Sequence, residues 1–180
     1  MRKRIYKELV TRFRQELENR LPQFSPHQEK ADNPTWAWML APNVTFFVML
    51  QPLATDQFVV EIGWSDDGTY PIEALPSHPP AIGLPRYRER LAQLWATESI
   101  ADSWAIVPEE TNEERSARMK ALASGDIKKW APVTPPEEEV LSRVAPLVVD
   151  AIQRLIEFGL PVFRNVAGHH GLAWSCESSN

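Results

Sequence analysis

The chain has 180 residues, 43% of them hydrophobic and 24% charged, with 16 prolines, 7 glycines, 7 tryptophans and 1 cysteine. That length and apolar content fit one globular domain burying about 70% of its unfolded surface, which excludes a disordered chain. The single cysteine, Cys176, excludes a disulfide scaffold. The net charge of −5 is uneven: residues 1–20 carry +4 and the rest −9.

An acidic body argues against broad nucleic-acid binding, since neutralising phosphates takes an extended basic surface. The basic stretch from Arg2 to Arg14 is the one place where such binding would sit. No apolar run of signal-peptide length follows MRKRIYKELV, and no stretch approaches the roughly 18 apolar residues of a membrane span. A cytoplasmic protein with no membrane segment is therefore expected.

Ile5, Leu9, Phe13, Leu17 and Leu21 recur every four residues, which predicts an amphipathic helix ending before Pro22. Residues 22–34 form a polar loop with three prolines. Three strand signals follow at Thr35–Ala41, Val44–Gln51 and Gln57–Ser65, rich in aromatic and β-branched residues and joined by short connections, so an antiparallel meander is expected. Strand Gln57–Ser65 alternates, with Phe58, Val60, Ile62 and Trp64 on a dry face and Glu61, Gly63 and Ser65 on a partly wet one. Strand Val44–Gln51 is apolar at both parities, which places it centrally. If Pro42-Asn43 makes a two-residue turn, Ala41 opposes Val44; counting back, Trp38 pairs with Phe47 and Trp36 with Met49, and the four share one face.

Asp66-Asp67-Gly68 reads as a turn. Residues 70–85 hold five prolines and read as an ordered loop anchored by Ile72, Leu75, Ile82 and Leu84. A short helix is expected over Arg86–Ala96, from Tyr87, Leu91, Leu94 and Trp95, then a short strand over Ser103–Val107. Thr111-x-x-Glu114 fits a capping box for a helix over Asn112–Ala123. Thr134-Pro135-Pro136-Glu137 predicts the start of the last long helix, with Thr134 as its cap, a kink at Pro146 and an end at Gly159 before Pro161.

This order of elements, with its W-x-W, TFFVMLQP and QFVVEIGWS strands and the late LIEFGLPVFRNV, resembles an uncharacterised family of bacterial proteins. The resemblance rests on layout and chiefly on Leu160-Pro161-Val162-Phe163. It implies an α+β fold, an antiparallel sheet flanked by helices. That family has no established activity, so the resemblance brings no catalytic residue.

Four kinds of chemistry compete with ordinary structure in this sequence. His169 and His170, with Cys176 and Glu177, offer metal-ligand types without metal-ligand spacing, and a C-terminal tail is the simpler reading. Asp66 and Asp67, with Glu61 and Glu73, are carboxylates near a turn. No G-x-S-x-G, Walker or G-x-G-x-x-G motif is present, so nothing marks an enzyme. Trp36, Trp38, Phe47 and Met49 make an aromatic platform, either a ligand or partner surface or a second core.

The sequence therefore predicts a single α+β domain over 1–165, with an antiparallel sheet of four to five strands, the first and last helices on one face, and a tail over 166–180. The leading functional expectation is a non-catalytic module binding a protein or small ligand through Trp36, Trp38, Phe47, Met49, Glu61 and His78, with no cofactor. The alternative is a hydrolase or metal-dependent enzyme using Glu61, Asp66 or His78 under the Pro-rich loop. Binding of nucleic acid by the first helix comes third. Partner identity and oligomeric state are not legible in the sequence.

Overall fold

A computed structural model of the chain describes residues 1–27, 33–54, 56–72, 80–95, 103–107, 111–124 and 135–174. The first helix, α1 (Lys3–Arg20), buries Ile5, Leu9, Phe13 and Leu17 completely, as their spacing requires. Its N-terminus has no cap from its own side chains. The cap comes from Asp56, whose carboxylate accepts from Arg2 N at 3.0 Å and Arg2 Nε at 2.9 Å. The α1 arginines are largely matched by carboxylates: Arg4 by Glu138 (2.6 Å), Arg12 by Glu8 (2.8 Å) and Arg14 by Glu18 (2.7 Å).

β1 (Ser25–Pro26), β2 (Thr35–Ala41), β3 (Val44–Pro52) and β4 (Gln57–Ser65) form an antiparallel meander. Two further strands share the remaining edge of β4: β5 (Arg86–Arg90) pairs with Glu61–Ser65, and β6 (Trp104–Ala105) with Gln57–Phe58. Among the described residues the sheet thus has six strands, two of them only two residues long. β3 lies centrally, as expected, and every residue from Val44 to Leu50 is buried.

The turn at Pro42-Asn43 sets Ala41 opposite Val44, as the sequence implies, but the next pair is Met39 with Thr45. Leu40 is an extra residue, a β-bulge, and it reverses the facing of everything before it. Trp38 therefore opposes Phe46 and Trp36 opposes Val48. This corrects the expectation of a shared platform: the two tryptophans lie on one face of the sheet, and Phe47 and Met49 on the other.

The tryptophan face is the main core. Phe13 of α1 packs on Trp36 at 5.2 Å between ring centroids, and Phe163 stacks on Phe46 at 4.5 Å. The first and last helices thus lie on one face. Residues 86–90 form a strand rather than the start of a helix, and a single 3₁₀ turn, Leu91–Leu94, follows. The apolar spacing from Tyr87 to Trp95 looks helical, but the open edge of β4 needs hydrogen-bond partners. Tyr87 also stacks on Trp64 at 4.2 Å once the strand forms.

α2 (Asn112–Ala123) carries the expected capping box: Thr111 Oγ1 accepts from Glu114 N at 3.2 Å, and Glu114 Oε2 accepts from Thr111 N at 2.8 Å. α3 (Glu137–Arg154) starts directly after Pro136, which takes the cap position; Thr134 lies outside the described residues. Pro146 is inside α3, on its exposed side. The helix does not end at Gly159. It widens into a π-turn, Leu155–Gly159, and continues as α4 (Leu160–His169).

Gly159 is closely packed and makes no left-handed cap, its φ being −76°. A Cβ there would lie 2.7 Å from Leu155 Cδ1 and 3.4 Å from Leu91 Cδ1. The wide turn also accommodates Pro161, whose ring would collide with the carbonyl four residues back in a regular α-turn. α4 crosses the expected boundary at 165: Val166 and Ala167 are fully buried, and Leu172 and Trp174 pack on the main core.

Candidate functional site

The other face of the sheet is built from the alternate positions. β3 supplies Thr45, Phe47 and Met49, β4 supplies Glu61, Gly63 and Ser65, β5 supplies Arg86, Arg88 and Arg90, and β2 supplies Ala37. After Ser65 the chain turns at Asp66-Asp67-Gly68. Asp67 Oδ1 accepts from Thr69 N at 3.1 Å and Thr69 Oγ1 at 2.8 Å, and Gly68 supplies φ +77°. These hydrogen bonds, the backbone one foremost, hold the Asp67 carboxyl below its usual range, and Arg86, its ion-pair partner, adds to the effect. The turn reading of Asp66-Asp67-Gly68 holds.

The turn brings Tyr70 and Pro71 over the sheet. Pro71 sits so close that a Cβ on Gly63 would lie 3.1 Å from its Cγ and 2.6 Å from the Tyr87 carbonyl oxygen. Tyr70 Oη donates to Glu61 Oε2 at 2.9 Å, and Arg88 Nε lies 3.6 Å from the same oxygen. Glu61 is only 7% exposed and Tyr70 6%, so the expectation of a partly wet face fails here. A buried carboxylate requires such partners, and a hydrogen bond to a charged group contributes about 1.5–3 kcal/mol. Burial first, and the Glu61 charge second, push the Tyr70 phenol well above its usual range, so it is held as a neutral donor.

Phe47 floors this arrangement, edge-on to Tyr70 at 5.7 Å and to His27 at 5.2 Å. With Met49 and Tyr70 it forms a small apolar cluster separated from the main core by the sheet itself. The result is one acceptor, one cationic group and an apolar floor at a single place. That combination suits recognition of a small molecule with one polar end. It offers no activated nucleophile.

Of the residues singled out in the sequence, Phe47, Met49 and Glu61 come together here. Trp36 and Trp38 do not: both are buried on the helix side, Trp38 among Phe24, Phe46 and Trp174 at 5.8, 5.6 and 5.1 Å. They are core, not surface. His78 lies outside the described residues, as do Leu75, Glu73, Cys176 and Glu177. Of the expected loop anchors, Ile72 and Leu84 are 63% and 43% exposed, whereas Ile82 packs on the main core. Leu84 contributes its carbonyl, which accepts from Trp64 Nε1 at 3.0 Å.

His169 and His170 are exposed at the end of α4. Among the described residues no three His, Cys, Asp or Glu side chains group to hold a metal ion. A depression of about 390 Å³ on α2, lined by Asn112, Glu113, Ser116, Ala117 and Lys120, has no buried polar group, and Ala121 is the one residue this helix buries. Sequence reasoning missed Tyr70 and Arg88. The two-residue period of Arg86-x-Arg88-x-Arg90 was a legible strand signal for the second; for Tyr70 the signal was an aromatic directly after a strand-ending turn.

Comparison with known protein families, with curated proteins and with solved structures returned no match. The class supported by the chain itself is a single α+β domain built on an antiparallel sheet. No helix among the described residues is long and apolar enough to cross a membrane.

Proposed function

We propose that this protein is a non-catalytic binding module whose site is the sheet face away from α1 and α3, where Glu61, Tyr70 and Arg88 meet above Phe47 and Met49. The observation that carries this reading is the buried Glu61 carboxylate, held by a phenol at 2.9 Å and a guanidinium 3.6 Å away. Folding gains little from placing a charge there, because replacing a buried ion pair with apolar side chains is often neutral or stabilising. A role in recognition accounts for it. The Glu61 carboxylate is taken up by the Tyr70 hydroxyl, an arrangement that fits holding a hydrogen-bonding ligand better than hydrolysis. The matched arginines of α1 likewise fit a structural helix better than a nucleic-acid surface. The lone cysteine agrees with a reducing, cytoplasmic setting, and the layout resemblance with a bacterial source.

Amide NMR of the wild-type chain against a set of small polar aromatic and aliphatic compounds tests the reading. Shifts should cluster at residues 47, 49, 61, 70 and 88, and Glu61→Gln should weaken the compounds that bind by about 10-fold or more, as expected when a charged acceptor is lost. Binding that maps elsewhere on the chain, or that is unchanged in the folded Glu61→Gln variant, would discard it.

A further inference from the structure

We propose that Tyr70 is an exchangeable occupant of this site, and that the ligand is a small phenol, an aromatic ring bearing one hydroxyl donor, which takes the place of the Tyr70 side chain. This inference rests on the binding role proposed above. The contacts of Tyr70 describe a phenol site in full: a ring packed edge-on against Phe47 at 5.7 Å, and a hydroxyl donating to Glu61 at 2.9 Å. Arg88 Nε, 3.6 Å from the same carboxylate oxygen, stays beside Glu61 on the paired strand β5 when the phenol leaves.

The way Tyr70 is attached differs from that of the other large aromatics on the sheet. Trp36, Trp38, Phe46, Phe47, Phe58, Trp64 and Tyr87 all stand on strands paired along their length. Tyr70 stands on a connection. Before it, Gly68 has φ +77°, and the hydrogen bonds from Thr69 to Asp67 lie within the turn itself. After it, Ile72 is 63% exposed and donates its amide to the Tyr70 carbonyl at 2.9 Å. Asp66 and Asp67 are fixed by the Pro85 carbonyl and by Arg86, so the part of the strap that can swing about Gly68 is Thr69–Ile72, with Tyr70 and Pro71 as its holds on the sheet. Lifting it frees the Phe47 edge and the Glu61 oxygen that Tyr70 occupies, and breaks no strand pairing.

A site closed by its own strap binds more weakly than the same site held open, by the fraction of time the strap is open. Minor states of this kind are populated at about 0.1–10%, which sets the effect at about 10- to 1000-fold. The experiment uses 4-methylphenol, the tyrosine side chain as a free molecule, with the nuclear Overhauser contact between the Tyr70 and Phe47 rings reporting strap closure. Saturable binding to the wild-type chain should be accompanied by loss of that ring contact. Tyr70→Ala should bind 4-methylphenol about 10- to 1000-fold more tightly, and toluene, which lacks the donor, at least about 10-fold less tightly than 4-methylphenol.

Tyr70→Phe keeps the ring and releases only the hydroxyl, so it covers the case in which Tyr70→Ala does not fold. It should show a weaker contact with the Phe47 ring and tighter binding than wild type. A Tyr70–Phe47 ring contact in the wild-type chain that stays unchanged at high 4-methylphenol, or no gain in affinity in either variant, would make Tyr70 a permanent part of the fold and overturn the proposal. If other compounds still shift residues 47, 61 and 88 while that ring contact stays unchanged, the binding role stands and the exchange fails. If nothing shifts those residues, both fail.

Discussion

The two faces of this sheet bury comparable aromatics by different means. On one, Trp36, Phe46 and Trp64 lie beneath helices that contribute continuous apolar stripes, and the core runs through most of the chain. On the other, Phe47 and Met49 lie in a cluster with one residue of a connecting strap and a charged carboxylate at its edge. Neighbouring residues of β3 thus belong to environments with different purposes. The helix face has the dense mutual packing that fixes a fold. The strap face has few apolar neighbours and a polar group that must be matched, which is where local opening costs least.

That contrast can be tested most sharply at adjacent positions. Phe46→Ala should cost about 4–5 kcal/mol, because the stacked Phe163 and the helices above it cannot collapse into the cavity. Phe47→Ala should cost about 3 kcal/mol, since the strap can settle into the space. Both residues are fully buried, so equal costs in urea denaturation would remove the distinction. Gly63→Ala comes next. Its methyl would meet the Tyr87 carbonyl and Pro71 together, so a loss of about 1–3 kcal/mol is expected, with faster exchange along the strap. A neutral effect would mean that Pro71 is not held against β4.

The pH dependence involves both faces. Burial, with the charges of Glu61 and Glu89 as second causes, raises the Tyr70 and Tyr87 phenols above their usual range. The folded chain therefore keeps protons that the unfolded chain releases from about pH 10. Stability should be independent of these groups below pH 10 and fall as the pH rises beyond it. Tyr70→Phe and Tyr87→Phe should each flatten part of that slope in alkaline thermal melts; a slope unaltered by both would assign it to other groups. The smallest effect should come from α1. Arg14→Ala, which removes an exposed pair with Glu18, should change stability by less than about 0.5 kcal/mol. A larger loss would give the basic helix a part in the contrast that its geometry denies it.

Much of this was legible in the chain because local and tertiary preferences agreed. The alternation of Phe58, Val60, Ile62 and Trp64 named a face, the two-sided apolarity of Val44–Leu50 named a central strand, and Thr111 with Glu114 named a helix start. The failures arose where tertiary demands won. Arg86–Arg90 carries helix-compatible spacing but is recruited by the open edge of β4. Gly159 and Pro161 look like a stop signal, yet Gly159 serves close packing and the π-turn absorbs the proline. Glu61 was singled out as a polar group on a strand; its partners Tyr70 and Arg88 lie 9 and 27 residues away along the chain, and their local signals say nothing of their meeting it.

Leu40 has a consequence for how this chain can vary. Because a single bulged residue sets which side of the sheet Trp36 and Trp38 occupy, the segment from β1 to Leu40 behaves like text read in a frame. Loss of Leu40 would leave the turn intact and join Ala41 with Val44 and Met39 with Thr45 in a regular ladder, with both indoles still beneath the helices. Loss of two residues between Trp38 and Pro42 would keep them there only if a bulge remained; without one, both would turn to the side of Glu61. Length variation in this hairpin should therefore be tolerated in odd steps and resisted in even ones, a parity rule written by one leucine that stands outside the ladder.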